Sequence, residues 1–423
     1  MLKREKIILH SDLNNFFATV EKTLNPELEG KPMAVCGNAE ERHGIVLAKS
    51  EEAKKYGIKT AMTIVEAKRL CPELITVSSH HSLYEEYSLK VKKIYERFTD
   101  QIESFGIDEA WLDVTHFTVF GDGKTIADKI RKAVKEELGL TCSVGVSFNK
   151  VFAKLASDMK KPDATTVISK RNYMKTVWRL PVGDLLYVGK STATTLRGLN
   201  VVTIGDLANT PCDFLVHHLG KWGEMLWCYA NGLDDSPVRK IGDESETKSV
   251  GNSVTTYKDM ENLNEVKSVL NFLCESISSR LIKYGLGKAS TITVSVRDER
   301  LHWVSHQTKL PYPSVLSEDF FKSAIDLFKK TYDWRSFIRS IGVAVSDFVS
   351  ENEQIELGRD NEKYRKKVDL ENRVIGLRKK YGQSTLIKGV TLRNKDLTGD
   401  YSPHDHGIVK MHGSNDDFDG GKK

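Results

Sequence analysis

Phe105-Gly106-Ile107-Asp108-Glu109-Ala110-Trp111-Leu112-Asp113-Val114 is the stretch from which the rest of the 423-residue chain can be read. Gln101-Ile102-Glu103-Ser104-Phe105 leads into it, and Ala110–Val114 leads out. Both flanks read as short strands, with Gly106 at the bend of a hairpin. On a regular strand Asp108 and Glu109 would point to opposite faces. At a strand end or bend both carboxylates can aim at one point. Such a pair repels itself unless a cation sits between its members. An isolated Asp-Glu pair is ordinarily a solvated turn, and a second segment of the same character is what lifts this one.

That segment is Ile7-Ile8-Leu9-His10-Ser11-Asp12-Leu13-Asn14-Asn15-Phe16-Phe17-Ala18-Thr19-Val20-Glu21. An apolar strand runs into Asp12, and a helix carrying two aromatics follows. A carboxylate at a strand end is held rigidly, as a metal ligand must be. Three carboxylates on adjacent strand ends make a hard-oxygen site suited to Mg²⁺, which keeps waters and takes further ligands from substrate phosphates. Two such ions about 4 Å apart can activate a primer hydroxyl and hold a departing pyrophosphate.

The pairing of SDLNNFFATVE (11–21) with FGIDEAWLDVT (105–115) resembles the Y-family (DinB/UmuC-type) translesion DNA polymerases. The resemblance is nearest to the DinB-like branch of Gram-positive bacteria and their mobile elements, and it runs from Ile7 to Val349. It implies an α+β, right-hand polymerase with a ferredoxin-like palm, small fingers, a helix-hairpin-helix thumb and an α/β little finger. Residue by residue, Asp12, Asp108 and Glu109 match the catalytic, metal-binding carboxylates. The Leu13 carbonyl matches a further metal ligand. Phe17 matches the aromatic steric gate against ribonucleotides, and Phe16 beside it joins the nucleotide-binding set. The cofactors implied are two Mg²⁺ ions, with Mn²⁺ able to substitute. The partners implied are primer–template DNA, dNTPs and the sliding clamp, for a monomer acting at the bacterial nucleoid in the SOS response.

Composition sets bounds. With 39% hydrophobic and 29% charged residues the chain is globular, and its length suits roughly two to four domains. No run reaches the ~18 apolar residues of a membrane span. The start, MLKREK and then a strand, lacks a signal peptide's apolar region, so a cytoplasmic protein is expected. The cysteines at 36, 71, 142, 212, 228 and 274 include no C-x-x-C pair and read as reduced thiols. The net charge of +5 is mild, but residues 150–200 hold ten basic against three acidic side chains, an excess of +7 that can track a phosphate backbone.

In chain order, residues 1–12 and 83–170 are expected to form the palm, 13–82 the fingers and 171–237 the thumb. Residues 238–250 read as a polar linker, 251–349 as the little finger and 350–423 as a partly disordered tail. Where the family usually carries Thr, Tyr and Arg along the passage from strand to helix in the fingers, this chain has Ala48, Glu51 and Lys54. Lys49 and Lys54 are the candidates to take over the phosphate contacts. Asn149–Pro162 resembles the family's NK-x-x-AK-x-A-S-x-x-x-KP segment, which puts Lys161 at the triphosphate and Lys154 beside it or the primer backbone. Leu186–Leu196 resembles a helix-hairpin-helix, whose amides grip a phosphate at a helix N-terminus. Gly189, Lys190 and Ser191 lie there, although Tyr187 stands where the first hairpin glycine is usual.

Arg297, Lys309 and Arg339 are candidates for backbone contacts from the little-finger sheet. In the tail, Gln354, Ile355 and Leu357 fit a sliding-clamp peptide whose aromatic anchor is replaced by Gly358. A nucleotide cyclase shares the palm and the carboxylates but needs neither thumb nor little finger. A catalytically weak DNA- or clamp-bound accessory factor of the same fold is the remaining alternative to a polymerase.

Overall fold

In the computed structural model every residue of the strand Ile8–Leu13 is buried, because a neighbouring strand pairs with each of its edges and helices cover both its faces. The structure describes residues 5–37, 44–117, 119, 121–243, 246–349, 360–382, 385–392 and 397. The chain forms two units, one ending near residue 245 and the other following it.

The strands of the first unit are β1 (Ile8–Leu13), β2 (Met33–Cys36), β3 (Val46–Lys49), β4 (Ile75–Ser78), β5 (Ile102–Ser104), β6 (Glu109–Asp113), β7 (Cys142–Ser147) and β8 (Thr165–Val167). Five of them form one sheet in the order β5-β6-β1-β7-β8, and three form another in the order β3-β2-β4. Leaving β8 aside, the first sheet has the β-α-β-β-α-β course of a ferredoxin-like palm. The helices His81–Tyr95 and Gly123–Leu138 pack on one face, where Tyr84, Ile94, Ile126 and Ile130 meet Leu9, Leu112 and Val144. The helix Lys150–Met159 covers the other face, against β1 and β7. Gly145 permits that approach, since a Cβ there would stand 2.0 Å from the Ala153 carbonyl oxygen. The close contact matters because this helix carries Lys154.

The three-stranded sheet has its own small core of Ala34, Cys36, Val46, Ile58 and Leu74. The sequence reading lacked β4 and β8, which are short and only partly buried, so neither has a clean apolar alternation. Four helices, Lys190–Gly198, Ile204–Asn209, Cys212–Leu219 and Lys221–Ala230, close the first unit around Val182, Leu196, Ile204, Leu207 and Leu226. The start of the expected linker is not free. Val238 is buried with Ile8, Trp111 and Ala153, and Arg239 N–H donates to Glu103 at 3.1 Å. One buried valine among polar neighbours carries no periodicity, so composition does not reveal the attachment.

The second unit has β9 (Ser249–Met260), β10 (Lys288–Asp298), β11 (Trp303–Ser314) and β12 (Ile338–Val349) in the antiparallel order β11-β10-β12-β9. The helices Leu263–Tyr284 and Ser317–Thr331 fill one face with Val269, Leu273, Phe320 and Phe328, against Ile292, Val294, Ile341 and Val343. Asn262 caps the first of these helices, and Gly285 ends it in the left-handed region. The tail region also contributes to this unit. The helix Asn361–Tyr381 docks through Glu371, which accepts from the Ser317 hydroxyl at 2.6 Å and from Ser278, and through Arg378, 2.9 Å from Glu275. Tyr364 and Val368 of this helix also pack against the unit's apolar core, but the segment is otherwise so highly charged that its sequence does not announce where it docks. The tail beyond 397 lies outside the described residues.

Candidate active site

Three segments bring the carboxylates together. Asp12 pairs with Glu109 across β1 and β6, and the Leu13 N–H donates to the Asp108 carbonyl at 3.0 Å. Gly106, at φ 85°, makes the bend that brings Asp108 round to the end of β1. Lys154 Nζ, reaching across from its helix, lies 2.8 Å from Glu109, 3.3 Å from Asp12 and 3.4 Å from Asp158. Lys161 Nζ stands 2.8 Å from both Asp12 and Asp158.

The electrostatics follow from that crowding. Burial, then repulsion from Glu109 and Asp12, pushes the Asp108 carboxyl up to about 6. Burial works against the Lys154 ammonium, but Glu109, Asp12 and Asp158 outweigh it and hold its pKa above the ordinary lysine range. The same balance, through Asp12 and Asp158, raises Lys161. Among the described residues no three acidic, His or Cys side chains form a ready metal cage, since Lys154 occupies the space between Asp12 and Glu109. The donor set nevertheless fits a hard divalent cation: rigid carboxylates, short of positive charge, at the mouth of a site where substrate phosphates and water can complete the shell.

His10 escaped the sequence reading. It is fully buried beneath the carboxylates, with Nε2 3.3 Å from Glu109, Nδ1 2.9 Å from the Ser157 hydroxyl and its ring edge-on to Trp111. Burial, then Lys154, holds it well below the usual histidine range. A lone histidine within an apolar strand carries no signal of this contact.

Phe17 stacks on Tyr84 with ring centroids 4.1 Å apart and planes 12° from parallel, and His81 meets it edge-on. Glu21 anchors the Tyr84 hydroxyl at 2.5 Å and the His80 ring at 2.8 Å. The Phe17 ring is therefore held from behind. The Phe16 side chain points into the core, so only its main-chain N–H, at the first position of the helix Phe16–Leu24, can face a ligand. Asn15 precedes that helix in the left-handed region, and its side chain makes no cap, which leaves the first-turn amides without that acceptor. Lys49 donates to the Thr60 hydroxyl at 3.1 Å, and Lys54 is ion-paired to Glu51 at 2.7 Å.

Two family models match the chain, the impB/mucB/samB family over residues 11–158 and its C-terminal domain over 247–357. DNA polymerase IV of Acetivibrio thermocellus is 46% identical over 396 residues, covering 93% of this chain and 99% of that protein. DNA polymerase IV 1 of Bacillus subtilis is 36% identical over 398 residues, covering 93% and 95%. A solved Y-family DNA polymerase chimera of Dbh and Dpo4 superposes with a TM-score of 0.72 at 28% identity, covering 82% of this chain and all of that one. The chain belongs to the Y-family of DNA polymerases, in its DinB-type branch.

This Y-family polymerase has the right-hand architecture, and translesion DNA synthesis is its activity. The relatives favour the enzyme over an accessory factor. Dependence on a divalent metal, and primer–template DNA and dNTPs as substrates, come with the family. Among the described residues no helix is long and apolar enough to cross a membrane.

The candidate DNA contacts of this Y-family polymerase lie on both units. Gly189 precedes the helix Lys190–Gly198 with no side-chain cap, and Lys190 and Ser191 are exposed at its start. Tyr187 adopts φ 67°, the left-handed conformation that a hairpin glycine would take, and its ring packs near Trp222 and Tyr229. The turn thus survives the loss of glycine because packing holds the strained residue. On the second unit Arg297 lies over Trp303, Lys309 is paired with Asp347 at 2.8 Å, and Arg339 sits where the β9–β12 register shifts. Gln354, Ile355, Leu357 and Gly358 fall outside the described residues.

Proposed function

We propose that Asp12, Asp108 and Glu109 catalyse nucleotidyl transfer with two Mg²⁺ ions, Mn²⁺ being able to substitute. The convergence of Asp12 and Glu109 on one lysine ammonium, with Asp108 close enough to be repelled by both, carries the reading. The bound ions would activate the primer hydroxyl and neutralise the leaving pyrophosphate. Asp12 and the Leu13 carbonyl end a rigid strand, and Asp108 and Glu109 approach it from the hairpin. Phe17 lies beneath the sugar of the incoming nucleotide and excludes a 2′-OH. Lys161, Lys49, Lys54 and the Phe16 N–H receive the triphosphate, while Lys154 balances the carboxylate charge beside the primer end.

In this reading residues 1–12 and 83–170 are the palm, 13–82 the fingers, 171–237 the thumb and 251–349 the little finger. Gly189, Lys190, Ser191, Arg297, Lys309 and Arg339 hold DNA backbone without reading bases. The enzyme works as a monomer at the nucleoid. Primer extension with Mg²⁺ and all four dNTPs, on intact and lesion-bearing templates, tests the whole reading. Failure to extend with any divalent ion would overturn it.

Two further outcomes are expected. Lys161→Ala should raise the KM for dNTPs by roughly 10-fold with a smaller loss of kcat, because it removes a charge that binds the phosphates in both ground and transition states. A selective fall in kcat would place Lys161 in the chemical step instead. For the clamp, a peptide of residues 350–360 should bind weakly, bind more tightly with Gly358→Phe and lose binding with Gln354→Ala, since the aromatic slot is otherwise empty. Tight wild-type binding indifferent to Gln354→Ala would make the stretch an ordinary connector.

A further inference from the structure

Glu51 is paired with Lys54, assigned above to the triphosphate, and repulsion should make an acidic side chain unwelcome there. Its Oε1 accepts at 2.7 Å from Asn15 Nδ2 and at 2.7 Å from Lys54 Nζ. Asn15 is the residue that precedes the gate helix Phe16–Leu24. The neighbouring Glu52 ties the same two elements together through Lys22 at 3.0 Å. The Glu51 carboxylate is thus held within one side chain of the uncapped first turn of that helix. Burial pushes its carboxyl up, but the hydrogen bonds from Lys54 and Asn15 outweigh this and bring it below the ordinary range. It is ionised at neutral pH.

We propose that Glu51 is an internal competitor of the triphosphate that sets the KM for nucleotides. In the free enzyme it satisfies Lys54 and Asn15. A nucleotide gains Lys54 only by exchanging its phosphate oxygens for the carboxylate, which stays nearby as a like charge. The competition concerns phosphate charge, so it acts equally on all four dNTPs and adds nothing to base selection. The inference rests on the reading of Lys54 and the gate-helix amides as triphosphate ligands.

Glu51→Gln keeps an oxygen for Asn15 and removes the charge. It should lower the KM for each dNTP by about 5-fold, with kcat changed much less, and the gain should shrink as salt screens the field. Inorganic tripolyphosphate, with neither base nor sugar, should bind the free enzyme more tightly by a similar factor in titration calorimetry. Glu51→Ala, which also frees Asn15, should tighten tripolyphosphate likewise, and Lys54→Met should weaken it. An unchanged or weakened tripolyphosphate affinity in Glu51→Gln overturns the proposal, as does a change in kcat alone. The calorimetry reads Glu51 without any chemistry, so it stands apart from the primer-extension test of the polymerase reading.

Discussion

Asp108→Ala and Glu109→Ala are each expected to lower kcat by more than ~10²-fold while affinity for primer–template DNA stays near wild type. Each substitution removes charge from the β5–β6 bend beside the end of β1 and leaves the candidate DNA-backbone residues Gly189, Lys190, Ser191, Arg297, Lys309 and Arg339 unaltered. Single-turnover extension paired with DNA-binding anisotropy separates the two effects. Near-normal extension by either variant would remove that carboxylate from the chemistry. The structure adds a second signature for Asp108. Its carboxyl is raised to about 6 by burial and by repulsion from Glu109 and Asp12. A folded-state pKa above the unfolded value means that the ionised group costs stability in full above about pH 6, and that this cost shrinks as pH falls below 6 and is gone only near the ordinary value of 3.8. With a chelator present, Asp108→Asn should therefore raise Tm at pH 8 and keep that advantage down to about pH 6, below which it should shrink and close near the ordinary aspartate value of 3.8. An inactive variant that is also destabilised at pH 8 would instead indicate a structural role.

Phe17→Ala is expected to raise ribonucleotide incorporation relative to deoxyribonucleotide by on the order of 10²-fold, because the discrimination is a clash rather than a contact. The ring can enforce a clash only if it cannot yield, and the parallel stack on Tyr84 with the edge contact from His81 removes its freedom to retreat. Use of dNTPs should fall much less, since the lost ring makes no polar contact. Tyr84→Leu should give the same change in smaller measure, with Phe17 present but unsupported, whereas Tyr84→Phe keeps the stack and should stay near wild type. Incorporation ratios measured for one template base with matched rNTP and dNTP decide the matter. Unchanged discrimination in Phe17→Ala would place the gate on another residue.

Much of this was legible in the amino-acid order. The apolar run Ile7–Leu9 into Asp12 and the bend at Gly106 between two strand-like flanks announced the carboxylate site, because strand alternation and glycine's access to positive φ are local properties. The helix Leu263–Tyr284 was readable to its ends, since Asn262 and Gly285 are caps written into the chain. What lay beyond reach depends on contacts between distant segments. Lys154 and Asp12 are 142 positions apart, and only the packing of the helix Lys150–Met159 on Gly145 brings the ammonium between two carboxylates. His10 sits under Glu109 because β1 and β6 pair in one register, and a shift by a single residue would turn it to the opposite face. In the sequence Glu51 is only a departure from the family pattern, and its hydrogen bond to Asn15, 36 positions away, comes from the fold. The sequence alone determined which residue types stand at strand ends, bends and caps, because local backbone preferences set those. Tertiary structure alone decided which charges share one point, because Coulomb energy depends on distance through space and not along the chain.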